Sequence, residues 1–283
     1  MFTTKLAQLW PIYKRDKTIA RFSQLTLKGY EIQFNLLSRV VGDVDAEEVT
    51  IDVIKDYLAG CTHLKIASLA GRVRFIKAFF TWAFTEKYIS ANPTSGIKEP
   101  RNRDKKPKYL SEEEILKLKD GCESLTEKTI LEFSFATGCR VGEIANINRA
   151  AINWDNNSID IMGKGNKRRI IYFSEPCKEI LREYLAQRKD DDEALIVTER
   201  APHRMSVAEM RYILKRIAKR AGMANNVYPH KLRHTYATHL LNNGASLEAI
   251  RQLLGHCNLS STMMYANLTE EGKQNTYTRC FKG

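Results

Sequence analysis

Residues 229–244 read PHKLRHTYATHLLNNG, and this stretch carries the clearest structural pattern in the chain. Pro229 suits the first position of a helix, apolar residues continue at helical spacing, and Gly244 is placed to end the helix. His230 and Arg233 are three residues apart, so their side chains project from the same face. The pattern predicts a helix that presents an imidazole and a guanidinium group together.

Two further segments follow this helix. The segment SLEAIRQLLGH, residues 246–256, predicts a short helix that ends at Gly255, with His256 just beyond it. The segment SSTMMYANL, residues 260–268, predicts a helix that carries Tyr265 near its start. A single tyrosine at such a place is ordinarily part of a core.

Upstream, residues 137–144 read TGCRVGEI. Gly138 is expected to close one helix and Arg140 to begin the next, where free backbone N–H groups and a guanidinium group together suit an anion. Glu143, three residues on, can orient Arg140 from the same face. An ordinary surface ion pair is the alternative interpretation.

A β-hairpin is predicted between these motifs. Residues 158–162 and 169–173 alternate in polarity and flank the turn GKGNK. Lys164 lies between two glycines of that turn, so its ammonium group can donate a proton or bind a phosphate. A basic hairpin tip exposed to solvent is the alternative.

The composition indicates a folded protein with a polyanionic partner. The 283 residues include 43% hydrophobic residues and carry a net charge of +12. Residues 101–108, RNRDKKPK, are densely basic. We expect a cytoplasmic protein, since neither a membrane-spanning run nor a signal peptide is evident, and we interpret the six scattered cysteines as reduced thiols.

The first hundred residues predict a helical bundle. Apolar residues from Leu27 to Val41 recur at spacings of three and four. In a later helix, over about residues 65–87, an aromatic cluster that ends at Phe84 is expected to be core. The basic residues of that helix face either DNA phosphates or solvent; they are Lys65, Arg72 and Arg74.

Three segments therefore divide the chain. Residues 1–100 form the bundle, residues 101–109 a basic linker, and residues 110–283 a mainly helical domain with a small β-sheet. Ser111 and Glu114 form a capping box that starts the second domain. A second capping box, at Ser206 and Glu209, starts a helix whose basic stripe is predicted to lie against DNA; the stripe consists of Arg211, Lys215 and Lys219.

The motifs occur in one order, and together they resemble the tyrosine recombinases of the phage integrase and Xer type. The resemblance covers the whole chain and implies a two-domain DNA clamp, built from a helical bundle and an α+β catalytic domain. It places six residues on the active-site positions of the family: Arg140, Lys164, His230, Arg233, His256 and Tyr265.

The resemblance also implies a chemistry. Tyr265 attacks a backbone phosphate and forms a 3'-phosphotyrosine, while the two arginines replace a metal ion in stabilising the phosphate. No metal, nucleotide or other cofactor is expected. The partners implied are a double-stranded DNA recombination site and three further copies of the chain, which form a tetramer on paired sites.

Three alternative functions compete with this interpretation. A metal-dependent nuclease needs converging carboxylates, and the motifs supply only Glu143 and Glu248. A non-catalytic repressor is suggested by the helix that ends at Gly244 and the helix from Leu247, which imitate a helix-turn-helix. A type IB topoisomerase would use similar chemistry without a specific site.

Overall fold

In the computed structural model, the chain divides into two compact units, residues 1–105 and 106–283. The structure describes residues 4–100, 109–163, 168–223 and 227–255, together with Thr278. No helix within these ranges combines the length and the hydropathy needed to cross a membrane.

Within residues 4–100, the first unit is a bundle of four α-helices. Ser23 caps the second helix by accepting a hydrogen bond from the Thr26 N–H, and Gly42 ends that helix with a φ of +85°. A 3₁₀ turn precedes the third helix. The helices are α1 (Leu6–Ile19), α2 (Gln24–Val41), α3 (Ile51–Ala59) and α4 (Ile66–Thr85).

Aromatic side chains dominate the core of the first unit. Tyr13 packs edge-on against Phe79 and Trp82, and the indole N–H of Trp82 donates to Asp16 at 2.8 Å. The expectation of an aromatic core on α4 holds for Phe79 and Trp82 and is wrong for Phe84, which is 45% exposed. Phe84 lies in the last turn of α4, next to the exposed Thr85 at the end of the helix.

The described part of the second unit is helical with one small sheet. The predicted capping box at Ser111 is present, because its hydroxyl accepts from the Glu114 N–H and the Glu114 carboxylate accepts from the Ser111 N–H. The helices are α5 (Glu112–Asp120), α6 (Leu125–Thr137), α7 (Val141–Ala145), α8 (Glu175–Gln187), α9 (Val207–Arg220), α10 (Pro229–Asn242) and α11 (Leu247–Leu254).

The sheet confirms the predicted hairpin. Its antiparallel strands lie in the order β1 (Ile152–Asn153), β2 (Ser158–Met162) and β3 (Arg168–Tyr172), and Ile159 pairs with Ile171. Both isoleucines are buried in the core that α6 shares with its neighbours α8, α9 and α10. Because strand side chains alternate, Arg168 and Arg169 point to opposite faces.

The cysteines of the described ranges carry free thiols. All four are buried, and burial raises the pKa of Cys139 to about 11. Burial also raises the pKa of Cys122 to about 11 and that of Cys177 to about 12, so these three thiols are protonated at neutral pH. The four free thiols agree with the interpretation of reduced cysteines. The four are Cys61, Cys122, Cys139 and Cys177.

Candidate active site

The turn between α6 and α7 holds Arg140. Gly138 ends α6 with a φ of +60°, and a Cβ added there would lie 2.3 Å from the ring of Tyr236, so only glycine fits. The Arg140 N–H donates to Oε2 of Glu143 at 2.8 Å, and its Nη1 donates to Oε1 at 2.8 Å. The expected orientation of Arg140 by Glu143 is therefore present, but the backbone N–H of Arg140 is occupied by that carboxylate rather than open to an anion.

Glu143 is shared between two arginines. Arg169 of β3 donates from Nη1 to Oε1 at 3.0 Å and from Nη2 to Oε2 at 2.8 Å. Burial would raise the pKa of this carboxyl, but the bonds from Arg169 and Arg140 outweigh burial and hold the pKa at about 2. Glu143 is thus ionised throughout the physiological range.

Arg233 lies inside the protein, where it is 5% exposed. Its Nη1 donates to the carbonyl oxygen of Gly138 and its Nη2 to that of Leu254, each at 2.7 Å. Burial and the nearby charge of Arg140 lower its pKa to about 10. The guanidinium group still carries its charge at neutral pH, and these two bonds fix it between α6 and the end of α11.

His230 lies in the first turn of α10, one turn before Arg233. Its side chain reaches solvent. Partial burial, followed by the positive charges of Arg233, Arg140 and Arg211, lowers the pKa of the imidazole. His230 is therefore neutral near pH 7 and can accept a proton.

The structure thus brings Arg140, His230 and Arg233 close enough for their charges to act on one another. With Arg169, the group holds three guanidinium groups against the single carboxylate of Glu143, so its net charge is positive. Such an arrangement attracts an anion and supplies planar hydrogen-bond donors for two of its oxygens. A base that can accept a proton lies beside it.

The other three predicted active-site residues lie outside the described residues. They are Lys164, His256 and Tyr265. The segments that flank two of them are described: β2 and β3 flank the turn of Lys164, and Gly255 precedes His256.

Comparison with known proteins identifies the family. The family model described as "Phage integrase family" matches residues 108–271, which is more than half of the chain. This chain belongs to the phage integrase family.

One curated relative agrees with this assignment in sequence, and solved structures of more distant proteins agree in fold. The chain is 32% identical to the tyrosine recombinase XerC of Staphylococcus aureus (strain MRSA252) over 280 residues, which covers 92% of each protein. It resembles the Tn1549 transposon integrase in complex with transposon right end DNA, with a TM-score of 0.81, 19% identity, and coverage of 98% of this chain and 99% of the other. It also resembles a lambda integrase tetramer bound to a Holliday junction, with a TM-score of 0.76, 19% identity, and coverage of 90% and 78%.

This chain is therefore a site-specific DNA recombinase, because it belongs to the phage integrase family and matches a tyrosine recombinase. The predicted fold class is confirmed as well, a mainly helical chain with a small antiparallel sheet. Neither the topoisomerase nor the repressor alternative is favoured by these relatives. In the described part of the chain, no cluster of His, Cys, Asp and Glu side chains could hold a metal ion.

The predicted basic stripe of this integrase-family chain is exposed on α9. Arg211, Lys215 and Lys219 all reach solvent, and none forms an ion pair within the described ranges. Arg216 and Arg220 of the same helix behave differently, because both bind the buried Glu127 of α6. The cations of α9 thus form two sets, one that faces solvent and one that binds a buried carboxylate.

The predicted DNA-contacting residues of the first unit differ among themselves. Lys65 is exposed at the start of α4. Arg72 donates to the hydroxyl of Tyr57 at 3.1 Å and lies over its ring, and Arg74 pairs with Glu99 at 2.9 Å. Contacts within the unit therefore occupy Arg72 and Arg74, so Lys65 is the better candidate for a phosphate contact.

Arg169 belongs to the cluster around Glu143, and the sequence pattern does not single it out. Its place on a predicted strand assigns it no role, although it binds Glu143. The two adjacent arginines after the glycine-rich turn are the available signal, since alternation sends one of them to the buried face. The partner of that arginine is 26 residues away and does not show in the local pattern.

Proposed function

We propose that this recombinase breaks and rejoins DNA through a 3'-phosphotyrosine formed on Tyr265, without a metal ion or a nucleotide. The observation that carries the proposal is the buried cation Arg233. Its hydrogen-bond acceptors among the described residues are carbonyl oxygens, and it lies near a second cation, Arg140. Glu143 acts on Arg233 from nearby, but its oxygens bind Arg140 and Arg169, and a buried charge without a counterion of its own is costly. A bound phosphate would supply the missing negative charge.

Arg140 and Arg233 would each bind a non-bridging oxygen of the scissile phosphate. In the pentacoordinate transition state these oxygens gain negative charge, and fixed guanidinium groups stabilise that charge without reorganising. Glu143 balances only part of the positive charge, because Arg140 and Arg169 share it. The site keeps a net positive charge for the phosphate.

The remaining roles follow from the motif match. The Tyr265 oxygen attacks phosphorus and loses its proton to neutral His230, while the bond from phosphorus to the 5' oxygen breaks. Lys164 protonates that leaving oxygen, and His256 donates a hydrogen bond to a phosphate oxygen. A 5' hydroxyl of the second strand then reverses these steps, so one ester replaces another and no ATP is consumed.

The two units would share the work of binding. Residues 1–100 form the DNA-clamping domain, residues 101–109 the linker, and residues 110–283 the catalytic domain. In the first unit Lys65 is the first candidate for a phosphate contact, whereas Arg72 and Arg74 would have to exchange their contacts with Tyr57 and Glu99 for a phosphate. In the second unit the proposed phosphate contacts are Arg211, Lys215 and Lys219.

Assembly on DNA completes the proposal. Two duplexes require four strand cuts, so four copies would assemble on paired sites. The lambda integrase relative, solved as a tetramer on a Holliday junction, supports this arrangement. The single substrate is double-stranded DNA that carries a recombination site.

The test uses nicked duplexes tiled over the DNA that flanks the gene of this protein. Cleavage near the nick releases a short fragment, so a covalent protein–DNA species accumulates. We expect a denaturant-resistant species in the presence of EDTA, and none with Tyr265→Phe, which should bind the same DNA. Loss of the species in EDTA with recovery in magnesium, or its persistence in Tyr265→Phe, would contradict the proposal.

A further inference from the structure

Arg169 connects two parts of the active site that are distant in sequence. From β3, its Nη1 and Nη2 bind the Glu143 carboxylate at 3.0 and 2.8 Å, and its Nε donates to the carbonyl oxygen of Leu253 at 3.2 Å. One planar group therefore spans the start of α7 and the end of α11. Glu143 in turn binds Arg140.

The site around Arg169 is closely packed. The side chain is 11% exposed, and a Cβ added at Gly255 would lie 2.8 Å from the Arg169 Cδ. Gly255 has a φ of +64°, so glycine is required there both by the backbone and by the arginine. The residue that directly follows this contact is His256.

Two arginines hold the end of α11. Arg169 binds the carbonyl oxygen of Leu253, and Arg233 binds that of Leu254. These carbonyls belong to the last turn of the helix, where backbone acceptors have no partner within the helix. Two arginines thus set the position of this turn. We assign Arg233 to the phosphate, and we do not assign Arg169 to it.

We infer that Arg169 is a positioning residue for strand cleavage, which holds Glu143, and through it Arg140, against the carboxyl end of α11. The inference rests on the proposed function. Arg169 is too enclosed by these partners to bind DNA itself, and it acts through groups that do. A rigid fork suits this role, because a lysine would supply the charge but not the planar set of donors.

If Arg169 is a positioning residue, its replacement should lower the rate of strand cleavage and leave DNA affinity almost unchanged. When the support of a reacting group is lost, small displacements reduce the rate, and changes of this kind cost about 10- to 100-fold. We expect Arg169→Met to lower the rate of covalent adduct formation at saturating DNA by about that factor, with DNA affinity within about twofold. Arg169→Lys should recover part of the rate.

Arg168 provides the matched control. It is the adjacent residue on β3, faces the opposite side, and pairs loosely with Asp160 at 3.6 Å. Arg168→Met removes the same charge from the same strand without touching Glu143. We expect its rate of adduct formation at saturating DNA to match that of the wild-type protein.

A double-mutant cycle distinguishes positioning from a loss of stability. If Arg169 acts through Arg140, Arg169→Met should cost much less in an Arg140→Lys background than in the wild-type protein, because the group that it positions is already impaired. If the losses of rate in Arg169→Met and Arg140→Lys multiply in full in the double variant, the inference is overturned. Should Arg169→Met fail to fold, as judged by thermal melting, the cycle is run with Arg169→Lys.

The failure of this inference differs from the failure of the proposed function. If the wild-type protein forms an adduct and Arg169→Met forms it at the same rate, only the role of Arg169 is overturned. If Arg168→Met is as slow as Arg169→Met, the role is overturned as well, because the strand charge explains the defect. If the wild-type protein forms no adduct on any duplex, the proposed function and the role of Arg169 both fall.

Discussion

Glu143 is the residue on which the arrangement of arginines depends. It is almost fully buried and accepts bonds from the side chains of Arg140 and Arg169 and from the Arg140 backbone. A buried carboxylate with this many donors stays charged far below its ordinary pKa. Its removal leaves two guanidinium groups without their counterion.

Stability should therefore depend on the charge of Glu143. A carboxyl whose pKa falls from 4.5 to about 2 on folding contributes on the order of 3 kcal/mol above pH 4.5, and this contribution disappears as the pH falls toward 2. We expect Glu143→Gln to lower the free energy of unfolding of the second unit by about that amount at pH 7, measured by calorimetry. The difference in the free energy of unfolding between Glu143→Gln and the wild-type protein should be smaller at pH 3 than at pH 7.

An exposed carboxylate serves as the control. Glu113 pairs with Lys117 on the surface of α5, where solvent screens the pair. Glu113→Gln should leave the melting temperature almost unchanged. Equal losses in Glu113→Gln and Glu143→Gln would contradict the special role of the buried carboxylate.

The pH dependence of cleavage should follow His230. Burial and the neighbouring arginines lower the pKa of its imidazole below 6.5, so the base stays unprotonated to a lower pH than a free histidine. We expect the cleavage rate to decrease at low pH with a midpoint below that of a free histidine, because the lowered pKa keeps the base unprotonated to a lower pH. His230→Gln should be slower and lack this decrease.

His234 provides a control from the same helix, because its pKa is also lowered by burial. His234→Gln should retain both the rate and the decrease at low pH. If the decrease disappears in His234→Gln and persists in His230→Gln, the base has been assigned to the wrong histidine.

At the scale of single residues, the sequence predicts which side chains lie together when they are close in sequence and belong to the same helix or its first residue. The spacing of Arg140 and Glu143, and that of His230 and Arg233, places each pair correctly. Arg169 cannot be assigned in this way, because its partners Glu143 and Leu253 meet it only after the hairpin packs on α7 and α11.

At the scale of elements, α9 combines two kinds of cation. Arg216 and Arg220 attach it to the buried Glu127, while its other basic residues remain in solvent. The attachment holds the helix in place, and the exposed stripe of Arg211, Lys215 and Lys219 is left for a polyanion. This division explains why a helix can be strongly basic without repelling its own domain.

Neutralising the stripe tests its interaction with DNA. Removal of one cation that binds a phosphate should flatten the dependence of log K on log salt by about 0.9. We expect replacement of Arg211, Lys215 and Lys219 by glutamine to weaken binding and to flatten the slope accordingly, measured by fluorescence anisotropy from low to moderate salt. Arg216→Gln is the control and should lower stability rather than the slope. An unchanged slope in the triple variant would reject the interaction.

Most elements can be predicted because their ends carry local signals. The capping boxes at Ser111 and Ser206 and the left-handed glycines at Gly138 and Gly255 mark helix ends that the structure confirms. Solvent exposure is harder to predict, because it depends on what packs against a helix. Phe84 is the example, since its aromatic neighbours are core and it is not.

At the scale of the whole molecule, assembly should depend on residues 276–283. Residues 276–283 lie outside the described residues except Thr278, and they include Tyr277 and Phe281, apolar groups too few to form a core of their own. Docking onto a neighbouring copy would bury them and couple the position of Tyr265 to assembly.

Deletion of residues 276–283 tests this coupling. We expect binding to a single site to stay within about twofold of the wild-type protein, whereas cooperative assembly and recombination should decrease. Gel-shift titration and a recombination assay measure the two effects. Partial recovery on mixing with wild-type protein would support exchange between copies, and normal recombination by the truncated protein alone would contradict it.

Tyr265 is the residue proposed to carry the DNA. The most direct measurement is mass spectrometry of the covalent species after digestion by protease and nuclease, which identifies the peptide that retains a nucleotide. We predict that the nucleotide is attached to the peptide containing Tyr265, and that Tyr277→Phe leaves it there. Attachment to any other residue, such as Tyr277 or a serine, would contradict the account.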